Sequence, residues 1–182
     1  MNWIKKIWQD TGELSTRQLC FKYLLPLVAI ILTWIFIGKI YLNQIKINSL
    51  VANTGQVTNF AFKLEEETTF GSRYSHDVYP LKISLSNYNF DFRLREDFSN
   101  DFRALLTKMP EGDTITIFTL GSLQSFLCLS SQTDVYEIVN NGKTIFPLDK
   151  MRNYNLLKAI PPGIICLILW ILYYYYRKGR IN

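Results

Sequence analysis

Residues 21–42 read FKYLLPLVAIILTWIFIGKIYL, and residues 159–176 read AIPPGIICLILWILYYYY. Both stretches are almost purely apolar, and each is close to the roughly 20 residues that a helix needs to cross a hydrocarbon core of about 30 Å. The remaining residues form too small a core to bury two uniformly apolar helices. The sequence therefore predicts an integral membrane protein with two membrane-spanning helices.

Prolines lie where each predicted span begins. Pro26 falls in the first turn of the first span, and Pro161 and Pro162 suit the start of the second, because a missing N–H costs least there. The segment before residue 21 carries Asp10 and Glu13, and the apolar run that follows is longer than the core of an ordinary signal peptide. We therefore expect an uncleaved anchor.

The residues beside the spans have the composition of membrane anchors, because aromatic rings and basic side chains settle at the level of the lipid headgroups. Residues 1–20 are expected to form a cytoplasmic amphipathic segment lying on the membrane surface; the open alternative is a tail whose aromatic residues only anchor the first span. The predicted anchoring residues are Trp3, Lys5, Lys6, Trp8, Trp170, Tyr173, Tyr174, Tyr175, Tyr176, Arg177 and Lys178.

Positive charge is concentrated at the two ends of the chain. The amino-terminal segment has four basic and two acidic residues, a net of +2, and the tail at 177–182 has a net of +3, whereas residues 43–158 have 12 basic and 13 acidic residues. The positive-inside rule then predicts cytoplasmic termini and an extracytoplasmic middle domain, in the inner (plasma) membrane of a bacterium. The basic pI of about 9.1 is membrane-flank charge on this interpretation, so no nucleic-acid partner is expected.

Residues 43–158 are predicted to form a small, mainly β domain, either barrel-like or a bent sheet, with one inserted helix; with the spans, this makes the fold class α+β. Period-two alternation of apolar residues predicts the strands, and helical spacing from Phe98 to Met109 predicts the helix. Predicted strands cover 56–64, 81–85, 88–94, 114–120, 122–129, 135–139 and 144–148, and residues 149–158 are predicted to be helical.

Two details of this domain can be tested against a structure. Asn141 and Gly142 are predicted to form the turn of the last hairpin, because both residues tolerate a positive φ. Phe90 and Phe92 are two residues apart in a predicted strand, so both are expected to project from the same buried face.

Three segments resemble an uncharacterised bacterial family of two-span membrane proteins with a small β-rich domain between the spans. They are the Gly55-x-Val57 opening, YPLKISL at 79–85 and EGDTITIF at 111–118. The family pattern places Asp-Pro after the last strand, whereas residues 119–122 here read TLGS and lead into further predicted strands. The resemblance implies architecture only.

Residues that carry chemistry are scattered along the sequence. His76 is the single histidine, and Cys20, Cys128 and Cys166 fall in three different environments, so neither a zinc site nor an internal disulfide is expected. The Glu65–Glu67 run is interpreted as a solvated loop. The acids at 96, 97 and 101 alternate with arginines at 93, 95 and 103, which predicts a salt-bridged helix start rather than an acid–base pair.

These observations favour a membrane-anchored binding or regulatory module. Its expected partners are the lipid bilayer, a protein or envelope component at the outer face, and a second copy of the chain through the spans. No cofactor, metal or catalytic residue is predicted. A pore-forming or membrane-perturbing protein is the alternative, and a membrane-tethered enzyme comes third.

Overall fold

The structure is a computed structural model that describes residues 16–62, 64–68 and 75–179. It divides into two compact units: Met1–Tyr41 together with Asn155–Asn182, and Leu42–Tyr154. The surface segment predicted at residues 1–20, with the anchoring residues Trp3, Lys5, Lys6 and Trp8, lies almost wholly outside the described residues.

Among the described residues, two helices are long and apolar enough to cross a membrane: Cys20–Gln44 and Leu148–Arg177. The first is preceded by α1 (Thr16–Leu19), opens with a π-helical turn (Cys20–Leu24) and continues as α2 (Leu25–Gln44). The sequence predicted Pro26 in the first turn of the span. The helix begins earlier, at Cys20, so that prediction is wrong. The wider π turn directly before Pro26, in which the Leu25 N–H reaches the Cys20 carbonyl, relieves the clash between the proline ring and the preceding turn.

The second apolar helix also begins earlier than its prolines. The predicted helix at 149–158 is confirmed, but it runs without a break into the apolar stretch, so Pro161 and Pro162 lie inside one helix, Leu148–Arg177. Each proline removes one helical N–H and its ring crowds the carbonyl four residues before it, so the helix continues through this point without two of its backbone hydrogen bonds.

The unit that contains both apolar stretches has specific contacts between its helices. Thr33 Oγ1 lies 2.7 Å from the Ala29 carbonyl oxygen, to which it donates, and 3.0 Å from Cys166 Sγ. The Trp170 indole N–H donates to the same hydroxyl at 3.1 Å. A Cβ added to Gly163 would lie 2.8 Å from the ring of Phe36, so glycine permits this close approach. Polar groups in these helices therefore bond to one another.

The unit Leu42–Tyr154 is an α+β domain with a six-stranded antiparallel sheet in the order β5-β4-β1-β6-β7-β8 and a separate two-stranded hairpin of β2 and β3. The strands are β1 (Val51–Phe62), β2 (Glu65–Thr68), β3 (Ser75–Val78), β4 (Leu81–Leu85), β5 (Asp91–Leu94), β6 (Thr114–Thr119), β7 (Glu137–Asn140) and β8 (Lys143–Phe146). The helices are α3 (Ser99–Lys108), α4 (Ser122–Leu127) and α5 (Leu148–Arg177), which leaves the domain.

Strand β1 is shared by the two halves of the sheet. It starts at Val51, five residues before the predicted strand. Residues 51–56 pair with β6, and residues 57–62 pair with β4, with a register shift between Val57 and Asn59. Gly55 therefore lies inside the strand rather than at its opening. A Cβ at Gly55 would lie 3.1 Å from Leu85 Cβ, so glycine accommodates a close approach of β1 and β4 there.

The free edge of β5 is bonded to the segment that precedes β7. The Arg93 N–H donates to the Thr133 carbonyl at 2.8 Å, and the Val135 N–H donates to the Arg93 carbonyl at 3.0 Å, in a parallel bridge between Arg93 and Asp134. Backbone hydrogen bonds thus connect β1, β4, β5, the 133–140 segment and β6 in a ring, with β8 attached to the outside of β7.

The main core lies inside this ring and is covered by α3. The predicted helix is confirmed: Phe102, Leu105 and Met109 are buried. Phe92 is fully buried, but Phe90 precedes β5 and is 48 % exposed, so the expectation that both rings share a buried face is wrong. Residues 86–90 form a turn instead of continuing the strand, and period-two alternation does not apply there.

The predicted strand at 122–129 is also wrong, because residues 122–127 form the short helix α4. The Gln124 side-chain oxygen accepts from the Gly121 N–H at 3.2 Å and caps the helix start. The last hairpin is confirmed: Asn141 and Gly142 have φ of 49° and 74° and join β7 to β8.

Candidate functional site

The outer surface of β4 and β5 carries opposed charged side chains. Leu81, Ile83 and Leu85 point into the core, so the residues between them point outward. The strand register places Lys82 directly opposite Arg93, and Ser84 opposite Asp91. We call the outward side chains of residues 82, 84, 91 and 93 the β4–β5 face.

One carboxylate bridges the two cations of this face. Glu65 Oε1 lies 2.7 Å from Lys82 Nζ, and its Oε2 lies 3.0 Å from Arg93 Nε. Glu65 belongs to β2 of the separate hairpin, so the prediction of a solvated glutamate loop is wrong for this residue. All three side chains keep 18–29 % of their surface exposed, so the ion pairs remain in contact with water and are individually weak.

A second acid lies deeper, beside the seam where β5 meets the 133–135 segment. Asp134 is 1 % exposed. Its Oδ2 accepts from Arg95 Nη1 at 3.4 Å and from the Ser130 hydroxyl at 3.4 Å, and its Oδ1 lies 4.0 Å from Arg93 Nη1. Arg95 also stacks over the Tyr154 ring at 5.3 Å. The buried Asp134 carboxylate therefore balances the positive charges of Arg93 and Arg95.

The salt-bridged helix start predicted for this region is found only in part. Arg95 Nε lies 3.5 Å from Asp97 Oδ2, as expected. Asp101 instead lies 2.6 Å from Lys150 Nζ. Arg93 turns towards Glu65 and Asp134, which are 28 and 41 residues away in sequence, and no local pattern indicates those partners.

An open cleft of about 610 Å³ lies elsewhere on the domain. Its charged lining includes Lys46, Glu137, Asp149 and Arg152. Arg152 is engaged within the domain: its Nε and Nη2 donate to the Ile45 carbonyl at 3.0 and 2.5 Å, and its Nη1 to Asp149 at 2.8 Å. Arg152, near the end of the domain, is thus hydrogen-bonded to Ile45 near its beginning.

Tyr136 and Cys128 are buried in one core cluster. Burial raises the pKa of the Tyr136 hydroxyl well above its usual range, and the hydrogen bond to Ser130 opposes that shift. The phenol is therefore neutral at physiological pH. A neutral tyrosine and a buried thiol pack as core groups here, in the same cluster as Leu120.

The predicted anchoring residues at the end of α5 are arranged as follows. The Trp170 ring lies 5.9 Å from that of Tyr173, and the Tyr176 ring stacks on Phe21 at 5.3 Å. Lys178 Nζ lies 4.7 Å from the Tyr174 ring. Tyr175 is 38 % exposed, and Arg177 is the last residue of the helix. Their role as anchors stays a prediction.

The described residues offer little for a metal or a nucleophile. Within ranges 16–62, 64–68 and 75–179, no group of three or more His, Cys, Asp or Glu side chains is placed to hold a metal ion. Cys20, Cys128 and Cys166 are free thiols. His76 lies in β3, opposite Glu67, and its side chain is outside the description. The geometry of the β4–β5 face suits non-covalent binding of a charged group.

Comparison with protein-family models, curated proteins and solved structures finds no significant match to this chain. The resemblance to the bacterial two-span family therefore stays a prediction.

Proposed function

We propose that this chain is a two-span membrane protein whose β domain is a binding or regulatory module for a protein or an envelope component. Both termini lie in the cytoplasm of a bacterium on this proposal, and the domain projects from the outer side of the inner membrane. The observation that carries it is the β4–β5 face, where Lys82 and Arg93 stand side by side on an outward surface.

The ring of strands supports a binding role for this face. A five-stranded Greek-key barrel is the architecture of OB-folds, which bind ligands on the surface of their second and third strands and on adjoining loops. Numbered along the chain, the five strands of the ring are β1, β4, β5, β6 and the 133–140 segment, so β4 and β5 are the second and third. The β2–β3 hairpin joins the first strand to the second, and the 120–133 segment joins the fourth to the fifth.

The charges of the face favour an acidic ligand group. Glu65 now occupies both cations, and a bidentate carboxylate or a phosphate on a partner offers the same geometry. Glu65 and its two cations keep 18–29 % of their side-chain surface in water, so an incoming anion can reach both cations and replace the Glu65 carboxylate. Leu64 and Tyr79, next in sequence to the paired residues Glu65 and Val78, are 49 and 50 % exposed and add apolar contact area.

The two long helices serve as the anchor in this proposal. Thr33, Cys166 and Trp170 satisfy one another's polar groups, which suits a stable helix pair better than a water-filled path. Ile37 and Leu167 are 60 and 62 % exposed, as lipid-facing side chains are. Self-association through these helices is proposed as a further use of the same surface.

The proposed orientation makes a direct prediction. In a cysteine-free background, Lys143→Cys on the last hairpin should react with a membrane-impermeant maleimide in intact cells, because residue 143 is exposed on the domain. Lys178→Cys, exposed beyond the second apolar helix, should react only after permeabilisation. Labelling of residue 178 but not 143 in intact cells would place the domain in the cytoplasm and overturn the orientation.

Binding through the β4–β5 face is tested by photo-crosslinking in the intact membrane. A photoreactive residue replaces Asn59, which is exposed on β1 and lies opposite Ser84. The matched control replaces Thr54, equally exposed on β1 but opposite Thr116 on the other half of the ring. We expect a discrete adduct from position 59, absent from position 54 and weakened at least severalfold by Lys82→Glu.

A second comparison separates recognition from membrane perturbation. One variant keeps the domain but has both spans replaced by unrelated membrane anchors, and the other lacks residues 55–148. Recognition by the domain predicts that the first variant keeps the cellular phenotype and the second loses it. The opposite result would favour the pore-forming alternative. In the photo-crosslinking experiment, equal adducts from positions 54 and 59 would exclude the β4–β5 face as the binding surface.

A further inference from the structure

The longest uncharged stretch of the domain surrounds α4. Residues 114–133 contain no Asp, Glu, Lys, Arg or His, although residues 43–158 as a whole hold 13 acidic and 12 basic side chains. Strand β6 accounts for the first part of this stretch, because it lies inside the sheet. The second part, 120–133, is a surface connection, where charged residues are ordinarily common.

Four large apolar side chains of this connection are exposed, whereas Leu120 and Cys128 are buried. Leu123 is 69 % exposed, Phe126 73 %, Leu127 41 % and Leu129 64 %. We call these four side chains the α4 patch. A cluster of large apolar groups on a connection, with no charged residue among them, marks an interaction surface rather than ordinary surface scatter.

The backbone at Leu129 holds that side chain outward at a cost. Leu129 has a φ of 49°, in the left-handed region that a leucine seldom adopts. The Ser130 N–H donates to the Ser125 carbonyl at 2.9 Å and fixes this conformation directly after α4. Glycine or asparagine would adopt it with less strain, so the leucine here is not explained by the turn itself.

The α4 patch lies at the end of the domain from which both long helices leave. Leu120 and Cys128, on either side of α4, are buried in one cluster with Leu42, Ile45 and Met151. Leu42 and Met151 belong to the apolar helices that enter and leave the domain. Six residues lie between Gln44, the end of α2, and Val51, so the two positions are at most about 25 Å apart.

We infer that the α4 patch inserts into the interface of the bilayer that the two long helices cross. This inference rests on the proposed two-span anchorage. Lipid is the occupant because the chain itself holds this end of the domain close to the membrane, so the patch meets the bilayer at a very high effective concentration. An apolar helix face commonly lies at the headgroup–acyl boundary, and an uncharged segment enters without desolvating a charge.

The test measures the surroundings of position 126 in the full chain in lipid nanodiscs. A nitroxide is attached to Phe126→Cys in a cysteine-free background, and its collisions with oxygen, which concentrates in lipid, are compared with those of a water-soluble nickel complex. The matched control is Phe90→Cys, because Phe90 is another half-exposed phenylalanine of the same domain. We expect the oxygen-to-nickel ratio to be severalfold higher at 126 than at 90.

Two other labels keep the outcomes distinct. Leu123→Cys should repeat the lipid signature if the Phe126 variant folds poorly. Leu167→Cys reports the anchorage: a lipid signature at 167 with an aqueous one at 123 and 126 overturns the inference and leaves the two-span proposal standing. An aqueous signature at 167 overturns the anchorage itself. Protection of 126 from both reagents shows a protein partner or a second copy there, which also overturns the inference.

Discussion

Replacing Phe92 by alanine is expected to lower the free energy of unfolding of the β domain by about 3–5 kcal/mol, the usual cost of deleting a buried phenylalanine ring. Phe92 is fully buried in the main core cluster. Its ring meets those of Tyr88 and Phe90 at 5.2 and 5.1 Å, so the substitution also removes aromatic contacts. The surrounding closed sheet can collapse only partly into the space left behind.

The matched control is Phe90→Ala, two residues away and of the same chemistry. Phe90 is 48 % exposed, so its removal should cost no more than about 1.5 kcal/mol, the value of an aromatic pair. Urea-dependent pulse proteolysis of the full chain in detergent, read on fragments of the domain, reports both changes. Equal costs for the two variants would contradict the buried and exposed assignments and with them the start of β5 at Asp91.

Asp134→Ala is the second substitution with a large expected effect. Removing one partner of a buried ion pair typically costs about 3–5 kcal/mol, because the other charge is left uncompensated. Asp134 faces both Arg93 and Arg95, whose side chains are 19 and 22 % exposed. It also stands at the parallel bridge with Arg93 that closes the ring of strands. We therefore expect the backbone hydrogen bonds between Arg93 and the 133–135 segment to weaken as well.

Two further variants identify the cause of that loss. Asp91→Ala, on the β4–β5 face, removes a carboxylate that accepts from the Ser84 hydroxyl at 2.6 Å. Because residue 91 is exposed, the free energy of unfolding should change by no more than about 1 kcal/mol. Adding Arg95→Met to Asp134→Ala removes one uncompensated cation and should recover part of the stability. An Asp134→Ala protein as stable as the parent would show that the two arginines need no buried acid.

The local part of this fold can be predicted from sequence because its signals are local. Two apolar stretches of the length of a bilayer predict long helices whatever surrounds them, and the helices Cys20–Gln44 and Leu148–Arg177 contain them. The alternation in 81–85 and the helical spacing from 98 to 109 are likewise properties of adjacent residues. Asn141 and Gly142 adopt positive φ because no side-chain clash forbids it there. These features depend on no distant contact.

The tertiary structure decided what short apolar segments and charged side chains do. A short segment without charges such as 122–127, SLQSFL, suits a strand or a helix equally. It forms α4 because its neighbours Leu120 and Cys128 are fixed in the core while Gln124 caps its start. Glu65 and Asp134 reach Arg93 only because strand pairing brings separate segments to one seam. Ion pairs between distant residues leave no periodicity in a sequence, so only the folded chain reveals the charged face and its buried support.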